Sequence, residues 1–105
     1  MTPPPIPVDD PRAPKYWRYE TGGELAAAVT RYLHRPRDLS AYDVALIAAY
    51  VQQWIDSPAW EANPHANEEG RARLAELRIR ARHIKTIADL HRWFASAISE
   101  GMDPL

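Results

Sequence analysis

The sequence predicts an all-α protein, a small four-helix bundle preceded by an extended proline-rich N-terminal arm. Three observations predict it. Apolar residues recur at spacings of three and four in separate runs, as they do on helices with one buried face. Capping residues stand ahead of those runs. No stretch alternates apolar and polar residues as a half-buried strand would.

The arm comes first. Six of the ten prolines lie in residues 1–15, namely Pro3, Pro4, Pro5, Pro7, Pro11 and Pro14. Proline fixes φ and has no N–H to donate, so the segment is expected to be extended and polyproline-like. Residues 1–20 are assigned to the arm and 21–105 to the helical domain. Tyr16, Trp17 and Tyr19 close the arm. Large aromatics so crowded are costly to leave in water, and they are expected to lie across the helices.

The first helix is expected over roughly residues 22–35, with Thr21 and Glu24 as a capping box. Leu25, Ala28, Val29, Tyr32 and Leu33 form its stripe. Pro36 stops it, and the short Arg37-Asp38-Leu39 link makes the first two helices antiparallel neighbours.

The second helix, Ser40 to Asp56, organises the rest. Val44, Ile47, Ala48, Val51, Trp54 and Ile55 form one stripe, and Ser40 with Asp43 resembles a capping box in which Asp replaces Glu. Tyr42, Ala45, Leu46 and Ala49 lie on another side, and Asp43 is the one charge between the helix ends. Such a helix is expected to be covered on two sides, by its own chain or by a partner.

Ser57-Pro58 ends that helix, and Ala59 to Ala66 reads as a loop in which Trp60 is either a lid on the core or an exposed anchor. Asn67 is the expected N-cap of a third helix running to about Ile84, with Glu68 and Glu69 in its first turn. Leu74, Leu77, Ala81 and Ile84 form a narrow stripe. Thr86 with Asp89 is a further cap signal, so a break is placed near Lys85; the alternative is one helix continuous through Lys85. The fourth helix carries Ile87, Leu90, Phe94, Ala97 and Ile98, and Gly101 with Met102 reads as a Schellman ending.

At 105 residues and 46% hydrophobic, the chain suits one domain with a modest core. Its net charge of −1 gives no overall attraction to nucleic acid or anionic membrane. Without cysteine there is no disulfide or thiolate chemistry. The start does not resemble a signal peptide, and the strongly apolar run Val44–Val51 is far shorter than the ~20 residues that span a bilayer. A cytoplasmic protein with no membrane partner is expected.

Candidate chemistry is sparse. His34, His65, His83 and His91 include no pair at the i, i+4 spacing that puts two metal ligands on one helix face. Ser40, Ser57, Ser96 and Ser99 lack a nucleophile-elbow pattern. Gly22-Gly23 is too short for a phosphate loop. No catalytic, metal or cofactor-binding residue is assigned, and the protein is not expected to be an enzyme. The strongest local bias is basic: residues 71–92 hold seven Arg or Lys and two acids. On a helical wheel Arg71, Arg78, Arg82 and Lys85 form a ridge suited to an acidic protein surface or to phosphates, unless it is only a solvated face. Trp and Arg also anchor protein interfaces, so Trp17, Trp60 and Trp93 join the ridge as candidate partner-binding residues. The function expected is a non-enzymatic helical interaction module, an accessory, regulatory or inhibitory protein that docks on a protein partner or on itself. The alternative is a nucleic-acid-binding protein that uses the Arg-rich third helix.

Overall fold

The computed structural model describes residues 16–19, 22–61 and 67–105. Over these the chain is all-α. Four helices run α1 Glu24–His34, α2 Ala41–Ile55, α3 Glu68–Ala81 and α4 Ile87–Ser99, with 3-10 turns at Tyr16–Tyr19, Pro36–Asp38 and Pro58–Trp60. The prolines of the arm lie outside the described residues. Tyr16–Tyr19, the aromatic end of the arm, form a 3-10 turn beside α1, with Trp17 packed against the core.

Three of the helix starts follow the sequence. Ser40 Oγ accepts the Asp43 N–H while Asp43 Oδ2 accepts the Ser40 N–H, both at 3.1 Å. Thr86 and Asp89 repeat that box, and Asn67 Oδ1 accepts from Gly70 N–H at 2.7 Å. Each such cap contributes about 1 kcal/mol. The fourth start differs from expectation. The N-cap of α1 is Gly23, with no side-chain cap bond, so Glu24 is the first helical residue rather than the third. Its carboxylate accepts instead from the Tyr42 hydroxyl, while Thr21 lies outside the described residues.

α2 is the centre of the bundle and packs on α1, α3 and α4. Val44, Ile47, Val51, Trp54 and Ile55 are buried, as their spacing requires, and meet Ala28 and Val29 of α1, Leu74, Leu77 and Ala81 of α3, and Leu90, Phe94 and Ala97 of α4. Two expectations for the stripes fail. Ile98 is 62% exposed, because the inward face of α4 is made by Leu90, Trp93, Phe94 and Ala97 and leaves Ile98 beyond its edge. Leu33 likewise points out, and Tyr32 is half-buried.

The chain breaks between α3 and α4 rather than running through Lys85. Arg82 and His83 close α3 with hydrogen bonds from their N–H groups to the carbonyls of Ile79 and Arg80. Asp89 Oδ2 then accepts from the N–H groups of both Lys85 and Thr86, which starts a new helix. At the far end Gly101 has φ +80, a conformation that glycine adopts without a Cβ clash. Met102 N–H reaches Ala97 O at 3.0 Å and Gly101 N–H reaches Ile98 O at 2.9 Å, the two bonds of a Schellman ending. This turn sends the tail back over α2. Pro104 is buried, and its carbonyl accepts from the Tyr50 hydroxyl. That bond lets a phenol sit inside the core.

Candidate functional site

The second side of α2 faces outward. Tyr42 is 57% exposed, Ala41, Ala45 and Ala49 are exposed, and Leu46 is half-buried. Cover on both sides was expected, and no described segment supplies it on this one. Asp43, the one charged residue between Ala41 and Ile55, is turned inward at 5% exposure. The outer face of α2 therefore carries no charged residue and is largely apolar from Ala41 to Ala49, with Gln53 following on the same side. Beside it a groove of about 410 Å³ runs between α1 and α2, from Gly23, Glu24 and Ala27 to Tyr42 and Leu46.

An ion pair closes one side of the groove. Arg31 donates to both oxygens of Asp43, from Nη2 at 2.7 Å and from Nε at 3.1 Å. The Arg31 guanidinium holds the Asp43 carboxyl below its ordinary range, helped by the Ser40 N–H. Across the groove the Glu24 carboxylate raises the Tyr42 phenol above its usual value. Sequence reading placed Asp43 only in a cap. Its isolation as the lone charge of an apolar helix was the available sign that it needed an inward partner.

The basic ridge does not survive as a ridge. α3 ends at Ala81, so Arg82 is its C-cap and Lys85 lies in the turn beyond. Arg78 is turned to the end of α2, donating to Ile55 O at 2.9 Å and Ser57 O at 3.1 Å, and it pairs with Glu61. Arg82 donates to Asp56 Oδ2 at 2.7 Å and to Arg78 O at 2.6 Å. Arg78 thus satisfies carbonyls at the C-terminus of α2 and Arg82 one in the last turn of α3, where the dipole favours positive charge. Arg71 and Lys85 are exposed.

No protein-family model, curated protein or solved structure matches the chain. The site therefore rests on its own geometry.

The tryptophans divide. Trp93 is 1% exposed and donates from Nε1 to Leu77 O at 2.9 Å, so in this fold it offers no surface to a partner. Trp60 lies edge-on to Trp54 at 4.7 Å between centroids, and its Nε1 donates to Trp54 O at 2.9 Å. It is a lid. Trp17 is half-buried beneath the Arg18 guanidinium, with a buried Nε1 that has no partner among the described residues. His91 accepts from or donates to the Tyr32 hydroxyl through Nδ1 at 3.0 Å. His65 lies outside the described residues. Among the described residues no three His, Asp or Glu side chains converge as metal ligands would, and no helix is long and apolar enough to cross a membrane.

Proposed function

We propose that this chain is a non-enzymatic helical interaction module, accessory or regulatory to a protein partner, which it binds through the outer face of α2. One observation carries the reading. Ala41, Tyr42, Ala45, Leu46 and Ala49 present an uncharged, largely apolar face, while the only charge on that helix is buried against Arg31. A solvated helix face normally carries charge, and small residues let a second backbone come close. Tyr42 beside the groove adds an amphipathic aromatic of the kind that anchors interfaces. Arg78 and Arg82 are engaged with carbonyls and acids of their own chain, which counts against the nucleic-acid alternative.

A photocrosslinking residue at Ala45, introduced in native-host cells, tests the proposal. A discrete adduct is expected that is lost on adding Ala49→Arg and does not form from Ala72, an exposed position on α3. An adduct of twice the chain mass would make the partner a second copy. Adducts that form equally from Ala45 and Ala72, or no adduct at all, would refute it.

A further inference from the structure

The arginines of α3 and α4 are not all in ion pairs: Arg80 shares a second cleft with Glu76 and Glu100 but bonds to neither. Arg73 donates to Glu100 at 2.8 Å and pairs with Glu69 at 3.0 Å, and Arg92 pairs with Asp89. Arg80 lies between them, half-buried. Among the described residues its polar partner is neutral: Nη1 donates to Ser96 Oγ at 2.9 Å. The Ser96 hydroxyl donates in turn to Arg92 O at 3.0 Å, so it cannot offset the charge. A partly desolvated guanidinium without a carboxylate is an incomplete arrangement.

Open space adjoins it. Arg80, His83, Ile84, Asp89, Arg92 and Trp93 line a cleft of about 190 Å³ at the α3–α4 elbow. Asp89 is the acid of the cleft, but its oxygens already accept from Lys85 N, Thr86 N and Arg92. Arg80 and Arg92 keep further N–H groups, because Arg80 gives Nη1 to Ser96 and Arg92 gives Nη2 to Asp89. His83 adds a third nitrogen donor, and Ile84 supplies apolar wall. We propose that this cleft binds a phosphate monoester, its terminal oxygens taken by Arg80 and Arg92 and its ester group lying toward Ile84. Guanidinium forks match phosphate oxygens in geometry, and two of them with an imidazole suit a dianion better than a single carboxylate. The monoester is either a small molecule or a phosphorylated side chain of another protein. The inference is independent of the α2 face.

Titration of the ¹⁵N-labelled full chain at constant pH with inorganic phosphate, phenyl phosphate and a phosphoserine hexapeptide tests it. Saturable shifts are expected at the Arg80 and Arg92 side-chain N–H groups and at His83, with affinity on the order of millimolar or tighter. Arg80→Gln and, separately, Arg92→Gln should each weaken binding about tenfold, with the fold checked by the unchanged remainder of the spectrum; Arg80→Lys serves if Arg80→Gln does not fold. Tighter binding of the hexapeptide than of phenyl phosphate assigns the site to a modified protein, and the reverse order to a small molecule; both sustain it. Equal shifts from chloride at matched ionic strength, or variants that bind phenyl phosphate as the parent does, would overturn it.

Discussion

Arg31 grips both carboxylate oxygens of Asp43, at 2.7 and 3.1 Å, and so ties the last turns of α1 to the first turn of α2. Oδ2 of Asp43 also accepts the Ser40 N–H. One buried carboxylate thereby caps its own helix and holds a neighbouring one. Breaking such an arrangement from one side leaves a buried charge unpaired, which costs more than the intact pair contributes. Asp43→Ala, which removes the charge with the contacts, should therefore destabilise less than its neighbour's loss in Arg31→Ala relative to the number of bonds removed. A double-mutant cycle in urea should show non-additivity of about 0.5–3 kcal/mol; strict additivity would mean that the two residues act separately.

Acid should unfold the protein through the same group. Arg31 lowers the folded carboxyl of Asp43, and the Lys85 backbone N–H, followed by Arg92 and Thr86, lowers that of Asp89. A carboxyl lowered by folding contributes stability that is complete above its unfolded value, about 3.9, and is lost as pH falls through the folded value. Urea midpoints should be flat from about pH 7 to 5 and fall below about pH 4. Asp43→Asn should start lower and fall less steeply. An unchanged acid limb in that variant would locate the sensitivity elsewhere.

Ile47 has no exposed surface and sits where α2 meets the other helices. Ile47→Ala should cost about 2–5 kcal/mol, from lost transfer energy and the cavity that remains. A chemical-denaturation loss under about 1 kcal/mol would mean that the core closes around the gap.

Helix positions and most caps could be read from the sequence because they depend on neighbours three or four residues away. Ser40–Asp43, Asn67 and Thr86–Asp89 are local signals, and all three act where they stand. Long-range partners left no such mark. Tyr50 belonged to neither stripe of α2, yet it is buried because Pro104, 54 positions later, accepts from its hydroxyl. Trp93 flanked the predicted stripe by one helical step, and rotation of α4 about its axis was enough to make it core and expel Ile98. The basic ridge failed for a related reason: a wheel assumes a continuous helix, and α3 stops before Arg82.

Arg78 and Arg71 should differ sharply in mutation. Arg78 satisfies two carbonyls at the end of α2 and an acid in the following turn, so Arg78→Gln should lower stability by about 1–3 kcal/mol. Arg71 is exposed on the first turns of α3, and Arg71→Gln should stay within about 0.5 kcal/mol of the parent. Thermal unfolding of the two single variants decides it. Equal effects would show that the Arg78 contacts at the α2 terminus contribute nothing net.

The tail makes the last test. Tyr50 is 2% exposed, and burial, the main cause, raises its phenol well above the ordinary value. Tyr50→Phe keeps the ring but leaves the buried Pro104 carbonyl without that hydroxyl, so a loss of about 1–2 kcal/mol is expected. Truncation after Gly101 removes Pro104 as well, and with it the cover over Tyr50 and the Met102 bond that closes the Schellman ending. Its loss should exceed that of Tyr50→Phe, and it should make the ring accessible to solvent quenchers of fluorescence. In the truncated chain Tyr50→Phe should cost less than in the full chain, by the share that the Pro104 bond contributes. If Tyr50→Phe is as harmful there as in the full chain, the hydroxyl acts through some group other than Pro104.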